Sequence, residues 1–220
     1  MNMYMYIKRL VDIILSAFGL ILLSLVFLIL IVWIKLDSKG PVLFKQKRVG
    51  INKTHFNILK FRTMSIDTPK DTPTHLLDNP DQYITKVGKF LRKTSLDELP
   101  QIWNIFIGEM SIIGPRPALW NQYDLLEERD KYGANDIRPG LTGWAQINGR
   151  DELPIDEKAR LDGKYVENIG FIMDIKCFFG TIISVLRSKG VVEGRKLGTT
   201  NKDIASSQGT TSKPLEVHND

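Results

Sequence analysis

Two carboxylates stand side by side in the segment Arg92-Lys93-Thr94-Ser95-Leu96-Asp97-Glu98-Leu99-Pro100-Gln101. Adjacent acids often do no more than open a helix. Ser95 and Glu98 fit a capping box, and Pro100 is tolerated if Asp97 is the cap and the helix begins at Glu98. Their surroundings suggest more. A cationic run (Lys86, Lys89, Arg92, Lys93) precedes them, and the apolar stretch Leu99–Ile107, able to lie on a membrane surface, follows. A helix N-terminus favours both an ionised carboxylate and a bound phosphate. An aspartate beside a divalent metal and arginines is also a competent nucleophile toward phosphorus. Two further segments, Gly114-Pro115-Arg116-Pro117 and Arg138-Pro139-Gly140, each present a guanidinium from stiff backbone. Such an arginine can clamp phosphate oxygens, or it can simply brace a turn.

Other chemistries lack their residues. The sequence has no phosphate-binding loop of the P-loop or dinucleotide type and no Asp-x-Asp motif. His55, His75 and His218 are scattered, and the single cysteine, Cys177, excludes an intramolecular disulfide framework or a Cys-based zinc site. Thirty basic against twenty-five acidic residues give a net charge of +5, which suits an anionic partner.

The elements that must position these groups follow from the patterning. At 220 residues, 43% of them apolar, the chain has room for one domain and a small appendage. From Ile13 to Ile34 there is no charge. As a helix this stretch would be about 33 Å long, close to the thickness of a bilayer's hydrocarbon core. Lys8 and Arg9 precede it, and Lys35, Lys39, Lys45, Lys47 and Arg48 follow, so both ends carry the basic mark of a cytoplasmic face. One resolution is a re-entrant helix that bends near Ser24, whose hydroxyl can bond back to the i−4 carbonyl; the other is a simple span. Asp12 can pair with Lys8 and Arg9 near the headgroups.

Pro41–Gln46, the turn at Gly50–Lys53 and His55–Phe61 read as a β-hairpin. Its neighbourhood, residues 35–64, holds eight basic residues and one acid, a collar for anionic headgroups. Helices are expected at Tyr83–Lys93, Glu98–Ile107, Trp120–Lys131 and the amphipathic Phe171–Leu186. Residues 65–82 read as a polar loop and the chain after about Gly194 as a disordered tail.

Five blocks carry a resemblance: Lys8–Asp12; Phe56–Met64, with Lys60 and Arg62; Thr94–Gln101; Gly108–Pro117; and Arg138–Arg150. Over roughly residues 6–190 the chain resembles the bacterial sugar transferases, small monotopic phosphoglycosyl transferases acting on polyprenol phosphate. The resemblance implies an α+β, mainly helical fold. Residues 1–36 would form a re-entrant membrane helix anchored by Lys8, Arg9 and Ser24. Residues 37–193 would be a cytosolic catalytic domain with amphipathic interfacial helices, and 194–220 the tail. It implies a UDP-sugar donor, a polyprenol phosphate acceptor, UMP as product, contact with inner-membrane phospholipid and catalysis on the cytoplasmic face, with no nucleic-acid partner. Asp97 would be the nucleophile and Glu98 its partner, both holding Mg²⁺. Lys60, Arg62, Arg92, Arg116, Arg138 and, more weakly, Asp174 would bind phosphate. The family commonly has proline after the serine at its helix break, whereas Leu25 follows Ser24 here. The competing expectation is a membrane-anchored basic adaptor without catalysis, and a third is direct displacement with no enzyme adduct. Sugar specificity is assigned to residues 65–82 and 151–160.

Overall fold

The computed structural model describes residues 3–66, 68, 82–149 and 153–186; most of the 65–82 loop, residues 150–152 and the tail lie outside that set. Helix α1 (Met3–Leu22) is followed after one residue by α2 (Ser24–Asp37), and the two are bent by 60° at Leu23. Among the described residues no single helix is long and apolar enough to cross a membrane, while this pair taken together has the length and composition. No proline causes the bend. Leu23 sits at φ −90° and ψ 4°, a sparsely allowed conformation, and the bonds Leu23 N to Gly19 O and Phe27 N to Leu23 O carry the chain through it. Ser24 is exposed and makes no such back-bond. Ser16 makes it instead, donating to Asp12 O at 2.5 Å.

Tyr4, Lys8, Asp12 and Ser16 recur every fourth residue and so share a helix face. The last three are buried, which corrects the expectation that Lys8 faces lipid headgroups and that Asp12 pairs with it. Asp12 Oδ1 accepts the Ile112 N–H at 3.1 Å. The opposite face of the bent pair, including Phe18, Ile21, Leu22, Leu25, Leu28 and Ile29, is exposed hydrocarbon.

Strands β1 (Leu43–Val49) and β2 (His55–Phe61) form an antiparallel hairpin in which Leu43 faces Phe61 and Val49 faces His55. Asn52 and Lys53 at positive φ close the turn. Helix α3 (Lys86–Thr94) starts where Thr85 Oγ1 accepts the Gly88 N–H and Asp37, at the end of α2, accepts the Val87 N–H. Leu30 and Ile34 of α2 pack there with Phe61, Val87 and Leu91, so α2 is seated on the hairpin and α3. A second cluster, Phe56, Ile58, Ile105 and Met110, seats the hairpin on α4 (Gln101–Ile107). Each such buried side chain contributes about 1.5–3 kcal/mol.

The two Pro/Gly loops are joined in a way their sequences do not announce. Short strands β3 (Ser111–Ile113) and β4 (Gly140–Thr142) pair in parallel. Gly114 N donates to Thr142 O and Gly140 N to Pro115 O, both at 2.8 Å. A Cβ at Gly140 would fall on the Gly114 backbone, so glycine is what allows this approach. Helices α5 (Tyr123–Asp130), α6 (Trp144–Ile147), α7 (Ile155–Glu167) and α8 (Phe171–Leu186) complete the described chain. Helix α5 starts three residues later than the patterning suggests, and α7 begins within residues 151–160, where the patterning suggests no helix. Ile113, Tyr165, Met173 and Cys177 form the third cluster.

Candidate active site

The acidic pair occupies a 3-10 turn, Leu96–Glu98, wedged between α3 and α4. Ser95 ends α3 in the left-handed conformation (φ 57°) and makes no capping bond with its side chain, so the expected capping box does not form. Helix α4 begins only at Gln101, with Pro100 as its cap residue. The turn aims Glu98 at two cations from different parts of the fold. Lys60 Nζ, from the penultimate residue of β2, donates to Glu98 Oε1 at 2.8 Å, and Arg116 Nη2 donates to the same oxygen at 2.8 Å.

Each cation has a stiff mount. Asn104 of α4 accepts the Leu59 N–H at 3.0 Å and donates to Asn57 O at 2.9 Å, pinning β2 beside Lys60. Asn104 is 1% exposed and was missed, although a polar amide inside the apolar run Leu99–Ile107 is itself a signal. Arg116 stands between two prolines whose carbonyls are both occupied, Pro115 O by Gly140 N and Pro117 O by Arg48.

The two carboxylates differ electrostatically. Burial alone would raise the Glu98 carboxyl, but the charges of Arg116 and Lys60 and their hydrogen bonds outweigh it and hold it well below the usual carboxylate range. Asp97 has no hydrogen-bond partner among the described residues. Burial raises its carboxyl above the ordinary value; Lys60, Arg92 and Arg116 pull against this, and Glu98 adds to it. Asp97 is therefore a buried carboxylate with no hydrogen bond among the described residues, beside one that two cations hold. No group of three or more His, Cys, Asp or Glu capable of holding a metal occurs among the described residues. A two-carboxylate site still fits Mg²⁺, which keeps several waters and takes further ligands from substrate phosphates.

The remaining candidates separate. Arg92 lies near enough to act on Asp97, and its Nε donates to Thr63 Oγ1 at 3.0 Å. Arg62 does not join the acids. It is buried, with its guanidinium on Lys39 O, Ser38 O and Ser38 Oγ, because α2 and β1 meet in a bend whose carbonyls need donors. Arg138 donates to Gly108 O at 3.0 Å, bracing the turn after α4. Arg9 caps the carboxyl end of α4, donating to Ile105 O at 2.6 Å and Phe106 O at 2.8 Å, and so faces protein rather than headgroups. Asp174 accepts from Tyr4 and Lys8 of α1 and Tyr165 of α7. Cys177 is buried, which pushes its thiol up to about 12 and leaves it a packing residue.

The profile of the bacterial sugar transferases matches residues 3–188, which takes in both helices of the bent pair and the whole carboxylate site. The chain belongs to that family. Among the bacterial sugar transferases it is 40% identical over 188 residues to the uncharacterized sugar transferase EpsL of Bacillus subtilis (strain 168), covering 85% of this chain and 91% of that one. It is 36% identical over 197 residues to the exopolysaccharide production protein ExoY of Rhizobium meliloti (strain 1021), covering 83% and 87%. It is also 40% identical over 184 residues to the UDP-glucose:undecaprenyl-phosphate glucose-1-phosphate transferase of Escherichia coli (strain K12), covering 80% of this chain but 39% of that longer protein. The chain thus spans nearly the full length of the first two proteins and well under half of the third.

Proposed function

We propose that this chain moves a sugar 1-phosphate from a UDP-sugar to polyprenol phosphate at the inner leaflet of the bacterial cytoplasmic membrane, in two steps through Asp97. One observation carries the reading: Glu98 is pinned by Lys60 and Arg116 while the neighbouring Asp97 carboxylate has no hydrogen-bond partner among the described residues. The name of the Escherichia coli relative, a UDP-glucose:undecaprenyl-phosphate glucose-1-phosphate transferase, supports the substrate classes.

In the first step an Asp97 carboxylate oxygen attacks the sugar-bearing phosphorus of the donor. The bond from that phosphorus to the bridging diphosphate oxygen breaks, UMP leaves, and an aspartyl phosphosugar remains. In the second step an oxygen of the lipid phosphate attacks the same phosphorus, and the Asp97 carboxylate is the leaving group. Glu98 fixes Lys60 and Arg116 beside Asp97, where their donors meet the diphosphate oxygens and the charge that develops on them. Arg92 adds a third cation on the Asp97 side. Asp97 and Glu98 would hold Mg²⁺, which when bound supplies neutralisation of diphosphate charge.

The two-step route suits the two substrates. A polyprenyl chain leaves the bilayer only at about 0.8 kcal/mol per CH₂, so the enzyme must come to it. The bent pair supports a re-entrant anchor, because α1 is fastened to the globular part through Lys8, Arg9 and Asp12, and α2 through Asp37, Leu30 and Ile34. Both ends therefore belong to one body, with the exposed hydrocarbon between them. The outward residues of α8, Phe171, Ile172, Phe178 and Phe179 among them, extend that apolar surface.

Radiolabelled UDP-sugars, beginning with UDP-glucose, incubated with undecaprenyl phosphate and Mg²⁺ should give organic-extractable label. Donor alone should give a burst of UMP. A turnover with no burst would mean direct displacement, and no label from any of several donors would favour a non-catalytic lipid-binding adaptor.

A further inference from the structure

Three donors converge on one carboxylate far from the acidic pair in sequence. Lys8 Nζ reaches Asp174 Oδ2 at 2.6 Å, Tyr4 Oη reaches the same oxygen at 2.7 Å, and Tyr165 Oη reaches Oδ1 at 2.7 Å. The cluster is enclosed: the side chains of Lys8 and Asp174 are 8% and 14% exposed, and Tyr165 is fully buried. It joins four elements, because the Tyr165 hydroxyl also lies 3.3 Å from Ile113 O, at the end of β3.

Two further contacts from the same stretch of α1 reach the elements that frame the active site. Arg9 caps the far end of α4, the helix that begins three residues after Glu98. Asp12 holds Ile112 in β3, the strand that leads directly to Gly114-Pro115-Arg116. A buried ion pair adds little net stability over an apolar pair of equal volume, but this cluster directs hydrogen bonds from three side chains onto the two oxygens of one carboxylate. A sliding apolar contact between α1 and α8 would tolerate several arrangements.

Building on the two-step reading above, we propose that the Tyr4–Lys8–Asp174–Tyr165 cluster is a rigid joint that sets the height and tilt of the anchor relative to Asp97. Lys8 and Asp174 are then positioning residues for transfer to the lipid acceptor. The acceptor phosphate is held at the leaflet boundary by its tail, so its distance from Asp97 depends on how the anchor is fixed to the catalytic part. The donor arrives from water and does not depend on that distance. This assigns Asp174 a different task from the phosphate binding that the family resemblance implies.

The test uses full-length protein in vesicles of phosphatidylethanolamine and phosphatidylglycerol, with Lys8→Met, Asp174→Asn and the milder Tyr4→Phe. The UMP burst from donor alone should stay within about twofold of the parent. Transfer to undecaprenyl phosphate in the bilayer should fall by about tenfold or more for the first two and less for Tyr4→Phe, since small misplacements are amplified in rate. Transfer to farnesyl phosphate dispersed in detergent, which needs no fixed height, should recover to within about threefold. The charge-swapped pair Lys8→Asp with Asp174→Lys should regain part of the bilayer rate. Burst and transfer falling together in Tyr4→Phe as well as in the other two would overturn the proposal, as would unchanged bilayer transfer in Lys8→Met. A parent enzyme that turns over without a burst would defeat the covalent reading instead. The joint would then be judged on the ratio of bilayer to detergent transfer, which an irrelevant joint leaves unchanged.

Discussion

Two carboxylate–cation groups in this molecule use the same side-chain types to opposite ends. Between α5 and α7, Asp162 Oδ2 takes both Nε and Nη2 of Arg129, at 2.8 and 2.6 Å, with side-chain exposures of 1% and 4%. That pair is closed off from solvent: one anion and one cation, both buried. At the 3-10 turn, Glu98 is shared by Lys60 and Arg116, Arg116 is 39% exposed, and Asp97 beside them has no hydrogen-bond partner among the described residues. Lys60, Arg92 and Arg116 all act on Asp97 through their charges. Matching makes a structural brace, while the open and unbalanced group is able to accept a charged substrate.

The largest effect expected from breaking this contrast is at Asp97. Asp97→Asn should lower turnover by about 10⁴-fold or more and abolish the UMP burst while the fold survives, since it removes the nucleophile but not its volume. Mass spectrometry of quenched enzyme should find the phosphosugar adduct in the parent on the peptide containing Asp97, and no adduct in this variant.

Next comes the closed pair. Asp162→Asn leaves a buried guanidinium without its anion and should cost about 3–5 kcal/mol in denaturant unfolding, with little change in rate per folded molecule. A normal stability for that variant would erase the distinction drawn between the two groups.

Arg116→Lys keeps the charge but loses the planar fork. It should slow donor cleavage by about tenfold to a hundredfold, measured as burst rate.

The smallest effect concerns stability at the site. The folded-state pKa of Asp97 is raised, so its contribution to stability is fully present below the ordinary carboxylate pKa and is lost as pH rises through the raised value. At neutral pH without divalent ions, Asp97→Asn should therefore melt slightly above the parent, and the gap should close on acidification. A lower melting temperature for the variant at neutral pH would contradict the burial argument.

Legibility divided along the same line. The hairpin was readable because alternation and a turn are local, although β1 runs on to Val49 where the pattern suggested Gln46. The acids at 97 and 98 and the stiff mount of Arg116 were readable for the same reason. The β3–β4 pairing was not, because three-residue strands carry no periodicity and the two loops lie far apart in the chain. Helix α7 was missed because its start falls next to Pro154 in a charged stretch with weak apolar spacing. The polar stripe Tyr4–Lys8–Asp12–Ser16 was visible in the spacing, but the positive flank was read as a mark of the membrane surface.

The sequence alone determined the inventory: a long uncharged segment, a pair of adjacent acids, and arginines stiffened by proline. Those properties reside in a few consecutive residues. The tertiary structure decided what each charge is for. Lys8 meets Asp174 across 166 residues, Glu98 meets Lys60 across 38, and Arg62 is spent on backbone carbonyls of Ser38 and Lys39. A guanidinium or carboxylate takes its role from whatever lies within about 3 Å of it, since hydrogen bonds weaken steeply beyond that range. In this chain those neighbours come from distant segments.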